Sequence, residues 1–289
     1  MTTILDTLLQ GVLLGGLYAL FAAGLSLIFG IMRLVNLAHG DLIVLAAFLL
    51  YFASSALGLN IFVTLIIVAP LMFLIGYGLQ SQIFNRMARG DALSPLLVSF
   101  GLSIVLQNAM LAGFSADSRR LQSGDLEAAS VALPGGLAAG VMPLLTFAAA
   151  LITIILLNQL FYRTTLGRAF RATSDDMDIA QLMGIDHRRI YSVAMGLALV
   201  VVAISALFLG LRANFDPTIG PARLLYAFEA VIIGGLGSLW GTLAGGIILG
   251  TAQTIGARIN PEWQILAGHV VFLALLIARP RGLFPRAVD

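Results

Sequence analysis

Apolar residues run in long blocks along this chain, separated by short polar or glycine-rich stretches. A helix needs roughly 20 mainly apolar residues to cross a bilayer, so each block predicts a span. The first covers about residues 8–29, where Gly11, Gly15, Gly16 and Gly24 offer small faces for close helix packing. A polar interruption, IMRLVNLAHGD at 31–41, leads to a second block at about 42–57 and a third at about 61–84. The basic turn NRMARGD precedes a fourth at about 93–114. A polar loop, Ser115 to Pro134, carries Arg119, Arg120, Asp125 and Glu127 and leads to a fifth at about 143–161. After a charged central stretch the sixth covers about 190–211. The loop RANFDPTIGPAR then opens a long apolar run, Leu224 to Ile255, interrupted by GGLGSLWG. The last block lies at about 265–277, before the tail RPRGLFPR. The pattern predicts an all-α polytopic membrane helix bundle of about eight transmembrane helices plus a broken or re-entrant segment. Residues 1–289 read as one transmembrane domain.

Composition agrees. The chain is 60% hydrophobic and 10% charged, with a mean hydropathy of +1.00, where a soluble domain carries about 25% charged residues. The formal net charge of +2 says little about ligands, but its distribution says more. Placing Arg33, the turn near Arg86, the central stretch and the tail on one side collects 11 of the 16 arginines there. By the positive-inside rule that side is the cytoplasm, with the amino terminus outside and the carboxyl terminus inside. The first block lacks a basic n-region and a clear A-x-A cleavage site, and reads as a retained helix. An outside-to-inside chain needs an odd number of crossings, whereas eight blocks are present. The run from Leu224 to Ile255 resolves this if it crosses twice or re-enters, its glycines then lying at membrane depth where protein or a water cavity covers the backbone. The sequence leaves both open.

Several chemistries are excluded. There is no lysine, which removes a Walker A loop and Schiff-base catalysis, and no cysteine, which removes disulfides and thiolate sites. His39, His187 and His269 share no metal-ligand spacing, and neither H-E-x-x-H nor G-x-S-x-G occurs. GGLGSLWG superficially resembles a dinucleotide fingerprint, yet it fails the spacing and lies in a membrane span. Small residues for backbone packing explain it better. The chain therefore reads as a transporter component rather than an enzyme, with no metal site.

Ionisable groups inside a membrane domain are costly and face a cavity or a partner. The candidates for a translocation pathway are Asn36, His39 and Asp41 near the second span, with Glu229, Gly235 and Gly237 in the glycine-broken segment. Each has a structural alternative: Asn36 and His39 as caps or interhelical hydrogen bonds, Glu229 as half of an ion pair. The amides add Gln107, Asn108 and Gln253, the first two read as interfacial. The two interrupted regions, 31–41 and 234–241, sit in opposite halves, as in transporters built from repeats with broken helices.

The most polar stretch is RTTLGRAFRATSDDMDIAQLMGIDHRR, 163–189, within a loop of about 162–189. It predicts a short helix capped by Ser174, with Asp175, Asp176 and Asp178 in its first turn. Ala172, Ile179, Ala180, Leu182 and Met183 supply small and apolar contacts, and Gly184 provides a left-handed exit. It reads either as a docking handle for a soluble partner or as a solvated connection.

With these segments in view, the chain resembles the permease subunits of branched-chain amino acid (Liv-type) ABC importers, and among them the shorter of the two permeases. The resemblance runs over nearly the whole length. Its marks are GGLYALFAAGLSLIFGIMRLVNLAHGD at 15–41, GRAFRATSDDMDIAQLMGI at 167–185, AFEAVIIGGLGSLWGTLAGGIILG at 227–250 and RPRGLFPR at 279–286. It implies a membrane-embedded subunit in the bacterial inner membrane, working with a homologous second permease, two cytoplasmic ATPase subunits and a periplasmic binding protein. Nucleic acid has no place in it. ATP and Mg would be bound by the ATPases, with no cofactor in this chain. The matching loop implies an ATPase-coupling role for Gly167, Arg168, Arg171, Asp175, Asp176, Ala180, Leu182 and Gly184. Implied cargo is branched-chain or other amino acids, amides or urea. The rival reading is a self-contained secondary transporter or channel built on His39, Asp41 and Glu229.

Overall fold

A computed structural model describes residues 2–87, 93–134 and 136–284. Residues 88–91 of the basic turn, and Pro285 and Arg286 of the tail, lie outside the described residues. Among the described residues the regular structure is helical apart from one hairpin and an isolated bridge between Arg119 and Phe215. Helices α1 (Thr2–Met32), α2 (His39–Leu57), α3 (Ile61–Gln82) and α4 (Leu93–Phe114) form the first half. A 3-10 turn, Phe84–Arg86, extends α3. Strands β1 (Ser130–Leu133) and β2 (Leu137–Gly140) pair antiparallel where the sequence predicts only a polar loop. Then follow α5 (Val141–Arg163), α6 (Thr165–Asp175), α7 (Met177–Leu182), α8 (His187–Arg212), α9 (Gly220–Gly234), α10 (Leu239–Ile259) and α11 (Trp263–Ala278).

Helices α1 to α5 and α8 are each long and apolar enough to cross a membrane. The long apolar run is a bent pair: α9 and α10 meet at 116° across residues 235–238, and α11 is a shorter apolar helix. At about 1.5 Å per residue, α10 reaches about 31 Å and α9 only about 22 Å. The eight apolar blocks of the sequence are therefore all present as helix, the seventh as two.

α1 is the axis of the bundle. Its apolar window is 89% buried and that of α8 78%, against 17% for α4 and 28% for α3 and α5. Small residues make this possible. A Cβ built on Gly15 would lie 2.5 Å from Ile247 Cα, and one on Gly250 would lie 2.5 Å from the Gly11 carbonyl. Gly11 and Gly15 thus mesh with Gly246 and Gly250 at four-residue spacing, letting the α1 and α10 backbones touch.

Two helix breaks shape the interior. After α1 the chain leaves helix over residues 33–38, and α2 restarts with its first residue beside the middle of α1. His39 Nε2 lies 2.8 Å from the Phe21 carbonyl, 11 residues back from the end of α1 and so about 16 Å along it. After α8 a second non-helical stretch, 213–219, descends beside α2, the Phe215 ring edge-on to Phe48 with centroids 5.1 Å apart. α9 restarts at Gly220 against Gly40. The segment that meets 31–41 is thus 213–219. GGLGSLWG lies instead at the end of the bundle where α1 stops, Gly237 packing on Gly30 and Gly235 against Gly282.

That end also gathers the arginines. Ser174 Oγ donates to the Gly30 carbonyl, the backbone N–H groups of Leu283 and Phe284 donate to Ile233 and Gly234, and Asn85 bonds the Arg188 carbonyl. Arg33, Arg86, the 163–189 stretch, Arg279 and Arg281 therefore share one end, as the arginine count groups them.

Candidate functional site: the helix breaks and the coupling segment

Non-helical backbone inside a membrane domain must find partners within the protein. Over 33–38 they come from side chains. Asn36 Oδ1 accepts from the Ala38 N–H at 3.0 Å, and Ser99 Oγ accepts from the Leu37 N–H at 3.1 Å. Asn36 thus closes a local turn before α2, while its Nδ2 is buried without a partner, as is His39 Nδ1. Asp41, in the first turn of α2, accepts from Ser103 Oγ at 2.5 Å and from Gln107 Nε2 at 3.0 Å. Ser99, Ser103 and Gln107 recur every four residues and form a polar stripe along α4. Gln107 therefore holds Asp41, whereas Asn108 is exposed and bonds only the Ile104 carbonyl of its own helix. The stripe was missed in the sequence, although its period was readable there.

The N-termini of α2 and α9 abut at this cluster. Each terminus carries partial positive charge from unpaired N–H groups, and the Asp41 carboxylate lies between them, against Gly220.

Glu229 sits elsewhere, buried on α9, with its Oε1 2.5 Å from His269 Nδ1 of α11. His269 is a partner the sequence did not single out. Nearby helices add Tyr18, whose hydroxyl donates to Gln253 Oε1 at 2.5 Å and whose ring lies 5.0 Å from that of Tyr226. Gly235 and Gly237, with φ of +105° and +79°, turn the chain from α9 into α10. Gly237 also borders a cavity of about 360 Å³ between α1, α5 and α10, with Ser26, Asn158, Tyr162 and Trp240 in its wall. The candidate pathway residues thus fall into three places: Asn36, His39 and Asp41 together, Glu229 with His269, and the two glycines at the arginine-rich end.

The polar stretch 163–189 is built from two helices rather than one. Thr164 caps α6, its Oγ1 accepting from the Gly167 N–H at 3.0 Å. Gly167 is packed so tightly that a Cβ there would lie 2.1 Å from the Leu160 carbonyl. Arg171 donates to the Phe161 carbonyl and lies over the Tyr162 ring, anchoring α6 to the end of α5. Ser174 is inside α6 and does not cap. The cap of α7 is Asp176, whose Oδ1 accepts from the N–H groups of Asp178 and Ile179 at 2.9 and 3.0 Å. Its extended φ and ψ break the helix just where a carboxylate can satisfy two free donors. Gly184 leaves with φ +83°, a left-handed exit. Ala180 is buried, but Ile179, Leu182 and Met183 are 60%, 87% and 78% exposed. Arg168 and Asp175 are exposed on α6.

Comparison with known proteins accords with this arrangement. The chain is 28% identical over 302 residues to the high-affinity branched-chain amino acid transport system permease protein BraD of Pseudomonas aeruginosa, covering 98% of this chain and 96% of BraD. It is 27% identical to the Escherichia coli permease protein LivH over 98% of this chain and 96% of LivH. Against E. coli LivM it is 22% identical over 93% of this chain but 68% of LivM. A solved structure, PsaBC from Streptococcus pneumoniae in complex with Fab, shares the fold with a TM-score of 0.50 at 15% identity, over 95% of this chain and 92% of that one. Residues 7–278 match the family described as branched-chain amino acid transport system / permease component, and the chain is a multi-pass membrane protein of that family.

Proposed function

We propose that the chain is the permease subunit of an ABC importer for branched-chain or related amino acids. Substrate arrives from a periplasmic binding protein, and two cytoplasmic ATPase subunits, which bind ATP and Mg, drive its passage. A homologous second permease completes the membrane part. The setting is the bacterial inner membrane, with the amino terminus outside and the arginine-rich end inside.

The observation that carries this reading is the α6–α7 unit. It exposes Ile179, Leu182 and Met183 at the arginine-rich end while tied rigidly to α5 through Gly167 and Arg171 and to α1 through Ser174. An apolar tip on a firmly rooted arm suits force transmission: a partner gripping the tip moves α1 and α5 with it. ATP closing the ATPase pair would tilt these helices and switch the central route between its two openings. Weak polar groups such as the Asp41 cluster suit passage, because a ligand shifts an equilibrium only by its differential affinity for the two states.

The secondary-transporter reading needs a relay through His39, Asp41 and Glu229. Glu229 lies nine residues along α9 from Gly220, about 14 Å by helical rise, and is engaged with His269. That separation speaks against a continuous relay. The test is copurification. The intact chain retains an ATPase subunit, and Asp175→Arg with Gly184→Trp loses it while the chain stays monodisperse. Retention through both substitutions would refute the coupling role.

A further inference from the structure

We propose that the arginine-rich end carries a binding site for the headgroup of an anionic phospholipid, between the end of α3 and the start of α8. A cavity of about 390 Å³ lies there, walled by Tyr77, Ser81, Arg86, Arg188 and Arg189. Its floor is built rather than incidental. Asn85 Nδ2 donates to the Arg188 carbonyl at 3.0 Å and to Ser192 Oγ at 3.2 Å, and its Oδ1 accepts from Gln80 Nε2 at 2.9 Å. These bonds fix α3 and α8 side by side at the point where both leave the membrane span.

Charge decides the ligand class. Three arginines line the cavity, and none is in an ion pair among the described residues. The acidic residue in the wall, Asp186, uses its Oδ1 to cap α8, accepting from the Arg188 and Arg189 N–H groups. Arginine binds phosphate oxygens through two parallel N–H donors. Basic pockets between helices at the cytoplasmic boundary of a membrane protein suit lipid headgroups.

What marks the ligand as a lipid, not a free phosphate, is the surface above. Val63, Ile67, Leu71 and Leu74 are exposed and follow one face of α3 that leads down to Ser81 in the cavity wall. Acyl chains would lie along this stripe, with the phosphodiester among the arginines and the Tyr77 ring at the boundary, where aromatic side chains settle. The inference depends on the membrane setting and not on the ATPase coupling.

The experiment uses the full chain in nanodiscs of mixed phosphatidylglycerol and phosphatidylethanolamine, reading by mass spectrometry the lipid retained after detergent extraction. The wild type retains phosphatidylglycerol enriched at least fivefold over its bulk share. Arg86→Gln/Arg188→Gln/Arg189→Gln loses the enrichment, Arg119→Gln/Arg120→Gln/Arg258→Gln keeps it, and millimolar inorganic phosphate does not displace the lipid. If the triple variant fails to fold, the wild type decides alone: phosphatidylglycerol raises its melting temperature more than phosphatidylethanolamine does. Equal stabilisation by both lipids, unchanged enrichment in a folded triple variant, or full displacement by phosphate would overturn the proposal. So would a triple variant that loses ATPase retention while keeping its lipid, which would make the cavity a protein-docking surface.

Discussion

A Cβ built on Gly40 would stand 1.9 Å from the carbonyl oxygen of Gly220, and one built on Gly220 would stand 2.0 Å from Asp41 Oδ1. Gly40 thus meets the main chain of Gly220, and Gly220 meets the Asp41 carboxylate, with no room for a side chain on either glycine. The contact brings the starts of α2 and α9 together inside the bundle and fixes where both broken segments end. It also delivers the Asp41 carboxylate to two helix N-termini at once.

Substitution at this contact should therefore be severe. Gly40→Val or Gly220→Val is expected to abolish monodisperse protein, since overpacking costs about 1–3 kcal/mol even where neighbours can yield, and here the obstacles are the Gly220 main chain and the buried, hydrogen-bonded Asp41 carboxylate. Gly78→Ala and Gly101→Ala, which meet open space, are expected to be near neutral by thermal melting in detergent.

The Asp41 cluster makes a graded prediction. Asp41→Asn turns one of two acceptors into a donor and should lower stability modestly. Asp41→Leu strands the Ser103 hydroxyl, a loss of about 1–3 kcal/mol for an unsatisfied buried group, while Gln107 Nε2 keeps its 3.2 Å bond to Ser103 Oγ. Ser103→Ala added to Asp41→Leu should cost little more, because it removes the stranded hydroxyl along with the bond that part-buried Gln107 donates to it. Melting temperatures of the three variants check the order.

How much of this was legible in the sequence differs between levels. Apolar blocks gave the helices, because burial in lipid is a constraint on every residue of a span. The small-residue faces of α1 were also readable, and Gly15 and Gly24 are both packed against other helices. What failed was pairing across distance. Nothing local says that His39 reaches back to Phe21, that Glu229 meets His269, or that the loop RANFDPTIGPAR, not GGLGSLWG, answers the first break. The misplaced cap is a local error of another kind. Ser174 and Asp176 are both good cap residues, and the Ser174 hydroxyl instead donates to the Gly30 carbonyl, a partner far away in sequence.

The cap of α7 can be tested directly. A six-residue helix has little stability of its own, so Asp176→Ala should cost about 1 kcal/mol locally. Amide exchange should quicken at residues 177–183, leaving α8 unchanged, and ATPase retention should fall. Uniform exchange across both segments would contradict a local cap.

Glu229 and His269 should behave as a coupled pair. Glu229→Gln, His269→Gln and the double variant form a cycle whose interaction energy is expected at about 0.5–3 kcal/mol, the range for residues in direct contact. A cycle that closes to zero would mean that their proximity contributes nothing.

The central claim is that this subunit is moved by its neighbours and powers nothing itself, and proteoliposomes test it most directly. With the second permease, the ATPases and the binding protein present, labelled amino acid uptake should require ATP and should collapse when Leu182→Glu disrupts the exposed tip of α7. Uptake by this chain alone, running down an ion gradient without ATP, would contradict the account.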